Sequence, residues 1–130
     1  MGQALLLDTH ALIWAALKPE KLGRAARVAL EDGENDAWVS AVSAMEIATK
    51  FRLGKLPQAE PLALDFIGQV TDRGFSLLSL TAEHGQFGGN LAIPHRDPFD
   101  RMIIAQAQIE RMILVSNEKR FDTFGVLRLW

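Results

Sequence analysis

Five acidic residues, Asp8, Glu46, Asp97, Asp100 and Glu118, come from four separated stretches of the chain and together have the makings of a metal centre. Asp8 directly follows the apolar run Ala4 to Leu7, and Glu118 stands two residues beyond Ser116, which ends the apolar run starting at Ile113. In open α/β sheets the ligand crevice lies beyond the carboxyl ends of the strands, so both acids fall on that rim. Glu46 belongs to the helix leaving the Trp38 strand, where it shares one stripe with Val42, Thr49 and Leu53 and faces mostly apolar neighbours. A half-buried carboxylate needs a partner to offset its charge. Asp97 and Asp100 are three apart and share one side of a first helical turn. Carboxylates that converge without matched Lys or Arg repel one another and hold protons unless a cation is supplied. Oxygen-only ligation favours Mg²⁺ or Mn²⁺, and the absence of cysteine and of a His-x-x-x-His pair argues against zinc.

Each acid also has a helix-capping explanation. Asp8 suits the N-cap of a helix starting at Thr9, Ser43-x-x-Glu46 spells a capping box, and Asp97-Pro98-x-Asp100 gives an N-cap, a proline at N1 and an acid at N3. Glu118 sits in a charged turn with Lys119, Arg120 and Asp122, where a solvated acid is ordinary. Capping explains each residue singly; acids at several strand ends on one rim are less expected by chance.

The elements that must position these acids follow from the apolar pattern. Ala4 to Leu7, Ala37 to Val39, Ser76 to Leu80 and Ile113 to Val115 are strand-like, and Val126 to Trp130 suits a short edge strand. Helices are predicted over Thr9 to Leu17, Gly23 to Asp32, Ser40 to Leu53, Pro61 to Gly74, and from the Asp97-Pro98-Phe99-Asp100 segment to Met112. The stretch between Leu80 and Asp97, rich in Gly, His and Pro, reads as loop. Strands separated by helices predict parallel β-α-β units in a three-layer α/β/α sandwich, and the length of 130 residues predicts one domain over residues 1–130.

Composition excludes several alternatives. A hydrophobic content of 48% with 23% charged residues is that of a folded protein. The net charge of −2 means that any binding of nucleic acid requires a local basic patch. Lys50, Arg52 and Lys55 at one helix end, and Arg96, Arg101, Lys119 and Arg120 around the acids, are candidates for phosphate contacts. Zero cysteines fit a reducing cytoplasm; the sequence lacks a membrane-length apolar run, and its start lacks the cationic flank of a secretion signal. Neither glycine-rich nucleotide cradle occurs, and neither does a Gly-x-Ser-x-Gly elbow. Of the three histidines, His95 alone adjoins an acidic cluster, and the lack of tyrosine argues against an aromatic base-stacking platform.

LLLDTHALIW, WVSAVSAMEIATKFRLGKL, HRDPFDRMIIAQA and FGVLRLW, in that order, resemble the PIN-domain family, in particular its bacterial VapC-type toxins. The resemblance spans essentially the whole chain. It implies a PIN-like α/β/α fold, Mg²⁺- or Mn²⁺-dependent cleavage of RNA, a homodimer, and inhibition by a cognate antitoxin. The family's first acid falls on Asp8, its second on Glu46 and its third on the DPFD segment, best on Asp100 with Asp97 supporting it. The fourth, usually an aspartate, falls on Glu118, which is a departure; Asn117 beside it is a possible polar substitute, and Ser116 matches a hydroxyl position common in the family. On this reading Asp8 and Asp100 ligate the metal directly, Asp97 and Glu118 act through water, and Glu46 holds a water or helps ligate a second ion. A phosphotransfer protein is disfavoured because position 10 holds His10 where a phosphatase needs a second aspartate. A PIN-like RNA- or protein-binding module without catalysis and, within the family, a housekeeping RNA-processing nuclease are the remaining rivals.

Overall fold

The computed structural model describes residues 2–130. Its frame is a five-stranded sheet in the order β3-β2-β1-β4-β5, built from β1 (Ala4–Leu7), β2 (Asp36–Ser40), β3 (Ser76–Leu78), β4 (Ile113–Val115) and β5 (Arg128–Leu129). Every pairing is parallel, with Leu6 opposite Trp38 on one side and Leu114 on the other. Among the described residues seven α-helices cover this sheet: α1 (Thr9–Leu17), α2 (Arg24–Glu31), α3 (Ala41–Arg52), α4 (Glu60–Leu64), α5 (Phe66–Asp72), α6 (Ala82–Asn90) and α7 (Pro98–Ile109).

Two cores result from the alternation of side chains along each strand. Leu5, Leu7, Val39 and Val115 point to one face and pack with Ala11 and Leu12 of α1, Ala26 of α2, Leu62 of α4 and Val70 of α5. Leu6 and Leu114 point to the other and meet Ile103, Ile104 and Ala107 of α7 and Phe121. Helix α3 serves both, giving Ile47 to the first core and Val42 to the second. The result is the three-layer α/β/α sandwich that the strand spacing predicts.

Four local expectations are corrected. The segment predicted as one helix from Pro61 is two, because Asp65 leaves helical geometry and caps α5 by accepting from the Gly68 N–H at 3.1 Å. The stretch after Leu80 contains α6, capped by Thr81, although Gly85, Gly88 and Gly89 lower its helical propensity. Gly88 earns its place by proximity: a Cβ there would come within 3.1 Å of the Arg101 carbonyl oxygen and 3.2 Å of Met102. The strand at Ser76 ends at Leu78, and α7 stops at Ile109, ahead of Met112, before Arg111 enters the left-handed region at φ 56°.

Helices α6 and α7 are joined by a buried polar chain. Ser40 donates to Gln106 Oε1 at 2.5 Å, and Gln106 Nε2 donates to the Ser79 carbonyl at 3.2 Å and to His84 Nδ1 at 3.3 Å. The backbone N–H of Thr81 also donates to Nδ1, so Nδ1 is unprotonated and Nε2 carries the proton it gives to Glu110 at 2.8 Å.

Candidate active site

The β1 backbone runs straight into the site. The Asp8 N–H continues the sheet ladder by donating to the Val115 carbonyl at 3.1 Å, after which the chain turns into α1 and the Asp8 carboxylate accepts from the Ala11 N–H at 2.8 Å. Asp8 is therefore an N-cap, as its capping explanation predicts, and it is also buried, with 7% of its surface exposed. Burial pushes its pKa up from 3.8 to about 6, against hydrogen bonds from the Ser116 side chain and the Ala11 N–H and the charge of His10, while Asp100 adds to the rise. Ser116, directly after β4, is fully buried and accepts from the Glu118 N–H at 3.0 Å.

Glu46 is equally buried, but not as a capping-box residue. Helix α3 starts at Ala41 with Ser40 as its cap, which places Ser43 and Glu46 inside the helix. Thr9 donates to Glu46 Oε1 at 2.6 Å and exchanges a 2.9 Å hydrogen bond with Ser43, tying α1 to α3 beneath the site. Lys50, one turn further along α3, meets Glu46 Oε2 at 2.5 Å. The expectation of carboxylates without a matched cation is thus corrected at this residue. The predicted stripe is also shorter than expected, since Leu53 lies past the last residue of α3 and is exposed.

Asp97 caps α7, its Oδ1 accepting from the N–H groups of Phe99 at 2.9 Å and Asp100 at 3.3 Å. The carboxylate of Asp100, one turn in, lies 2.7 Å from His95 Nε2. His95 is itself buried between Phe121 and Phe124, with ring centroids at 6.0 and 5.5 Å. Burial raises the Asp100 pKa; the His95 bond opposes this and the charges of Asp97 and Glu46 add to it. The Lys50 pKa is raised as well, for a different reason: burial alone would lower it, but Glu46 first, then Asp97 and Asp100, raise it.

The structure brings all five predicted acids to one concavity of about 220 Å³ at the carboxyl ends of β1, β2 and β4. Asp8, Glu46, Asp97 and Asp100 line it beside Thr9 and Lys50, and Glu118 joins them with Asn117, Arg120 and His10. Glu118 is the most exposed of the acids for which an ion pair is seen, facing Arg120 at 3.4 Å. Among the described residues no group of three or more His, Cys, Asp or Glu is arranged so that it could hold a metal ion as it stands. Glu46 leans on Lys50 and Asp100 on His95. The donor set nevertheless suits a hard cation: it is all oxygen, polar, and short of positive charge. A larger cavity of about 420 Å³ over α6, lined by Glu83, Phe87 and Leu91 among others, gathers no comparable chemistry.

Sequence reasoning missed Thr9 as the residue that holds Glu46, although its position directly after Asp8 was a signal. It noticed Lys50 only as part of a basic cluster, although the i, i+4 spacing from Glu46 predicts their pairing. Arg101 is corrected outright: its guanidinium donates to the carbonyls of Gly88, Gly89, Leu91, Ile93 and His95, so it holds a loop and is not available to a phosphate.

Comparison with known proteins agrees with this architecture. A family model described as PIN domain matches residues 5–127. The chain belongs to the PIN-domain family. Solved structures similar to this PIN domain include VapBC2 from Rickettsia felis bound to a promoter DNA fragment, with a TM-score of 0.67 at 15% identity over 98% of both chains. VapBC-1 from nontypeable Haemophilus influenzae gives a TM-score of 0.67 at 16% identity, covering 98% of this chain and 97% of that one. Mycobacterium tuberculosis VapC20, a toxin that cleaves the sarcin-ricin loop, gives 0.65 at 15% identity, covering 95% and 96%. At these identities the likeness is one of fold. No curated protein shows a significant sequence match to this PIN domain.

Proposed function

We propose that this PIN domain is a Mg²⁺- or Mn²⁺-dependent endoribonuclease and the toxin of a toxin-antitoxin pair. The observation that carries the proposal is the convergence of Asp8, Glu46, Asp97 and Asp100, from three different chain regions, on one polar concavity at the strand ends. A bound divalent ion would activate water and offset the charge that builds on a phosphodiester. Asp8, Asp100 and Glu46 would hold the ion, with Asp97 and Glu118 supporting it from the same concavity. The Ala11 N–H holds the Asp8 carboxylate in the pocket, and Thr9 does the same for Glu46. In-line attack by water then leaves a 5′-phosphate and a 3′-hydroxyl.

The toxin role is supported by the VapBC assemblies among the similar structures. Exposed apolar side chains such as Met45, Leu64 and Ile67 offer surface for a cognate antitoxin or a second copy in a homodimer. Among the described residues no helix is long and apolar enough to cross a membrane.

The deciding experiment is cleavage of mixed RNA by the purified protein with Mn²⁺ or with EDTA, run beside Asp8→Asn. Cutting by the wild type with Mn²⁺ alone, and loss in the variant, is expected; full cutting by Asp8→Asn would overturn the site. A PIN-like module that binds without cutting is the second reading, favoured by Glu46 and Asp100 already being paired within the chain. It predicts no cleavage of any RNA and no binding of Mn²⁺.

A further inference from the structure

Positive charge in the concavity is scarce and unevenly placed. Arg120 faces Glu118 at 3.4 Å with more than half of its side chain exposed, at 59%, so it serves the mouth. Deeper in, Asp8, Glu46, Asp97 and Asp100 have one lysine among them, Lys50, whose ammonium is held by Glu46 and felt by Asp97 and Asp100. Lys50 is thus the counter-cation of the inner pocket. A second cation cannot take the same carboxylate without repelling it.

Lys50 is also partly open to solvent. Its side chain keeps 33% of its surface exposed against 6% for Glu46, and among the described residues its one hydrogen bond is to that carboxylate. Four carbons of flexible stem and a compact ammonium allow it to swing outward while Glu46, fixed by Thr9, stays. Lys50 lines the same concavity as Glu46 and is its more exposed partner, so a phosphodiester bound there would present a second negative charge within its reach.

We propose that Lys50 alternates between two anions: it neutralises Glu46 in the metal-free protein, and it turns to the substrate phosphodiester when a divalent ion takes Glu46 over. The inference rests on the concavity being the metal site proposed above. It makes Lys50 a competitor of the metal and a partner of the RNA, two effects of opposite sign that a purely structural ion pair does not produce.

The test is calorimetric titration of Mn²⁺, without RNA, into the wild type, Lys50→Gln and Lys50→Arg, with circular dichroism to verify folding. Lys50→Gln is expected to bind Mn²⁺ about fivefold more tightly, at the upper end for a solvent-exposed ion pair because Glu46 is buried, and Lys50→Arg to stay near wild type. In a second arm, anisotropy of a short single-stranded RNA at saturating Mn²⁺ reads the phosphate contact: Lys50→Gln should bind several-fold more weakly, with the slope of log affinity against log salt shallower by about 1. Unchanged or weaker Mn²⁺ binding by Lys50→Gln overturns the competition, and an unchanged salt slope overturns the phosphate contact. RNA binding that depends on Lys50 without any cleavage upholds this inference while removing the nuclease, and a wild type that takes up no Mn²⁺ removes both.

Discussion

Two polar constellations lie buried on this sheet, and they are built on opposite principles. In the chain from Ser40 through Gln106 and His84 to Glu110, each donor meets an acceptor and the imidazole tautomer is fixed by the Thr81 N–H. In the concavity at the strand ends, acceptors outnumber donors. Asp8 is driven to a pKa of about 6 and Asp100 upward, each by burial first and by neighbouring acids as well. The matched constellation holds α6 against α7; the mismatched one stores electrostatic repulsion that a ligand of positive charge can release. A polar cluster is informative about function when its charges do not balance.

The contrast can be broken most severely at Asp8. Asp8→Asn retains an N-cap acceptor for the Ala11 N–H, so the fold should persist while Mn²⁺-dependent cleavage falls at least about 10³-fold, near 4 kcal/mol, in a single-turnover assay. Next in size is the effect of the same change on metal-free stability. The folded pKa of Asp8 lies above its unfolded value, so between about 4 and 6 the folded state binds more protons and stability falls as pH rises. The cost is fully present above about pH 6 and absent below about pH 4. Asp8→Asn should therefore be more stable than wild type at pH 7.5 by about 2–3 kcal/mol in urea denaturation, with the gap closing at pH 4 and narrowing when Mn²⁺ is added.

The matched constellation responds the other way. His84→Ala leaves Gln106 and Thr81 without their acceptor and opens a cavity, so about 2 kcal/mol of stability should be lost, read by urea denaturation, with Mn²⁺ binding unchanged. Stabilisation by His84→Ala would erase the distinction between the two regions. The smallest effect is expected for Ser116→Ala, which removes a hydrogen bond that lowers the Asp8 pKa; NMR titration should find the carboxylate protonated to higher pH.

The strands were the most legible part of the fold, because β1 and β4 are wholly apolar runs that only a sheet covered on both faces can accommodate. Helix α6 was hidden because three glycines weaken a local signal that packing against α7 restores. The acids were legible as a set even though Asp8 and Asp97 do cap helices: one carboxylate has lone pairs enough for a backbone N–H and for a ligand. Arg101 was misread for a reason intrinsic to sequence, since the five carbonyls it binds are backbone groups that every residue carries and no residue type announces.

That guanidinium has a mechanical consequence. All its contacts fall between Gly88 and His95, while its own Cα is the neighbour of Asp100 in the opening turn of α7. The surface bend and the helix start are thereby clamped into one rigid piece, with His95 gripping Asp100 as a second fastening. A load applied to the outer bend by any partner would be transmitted directly to a carboxylate of the pocket.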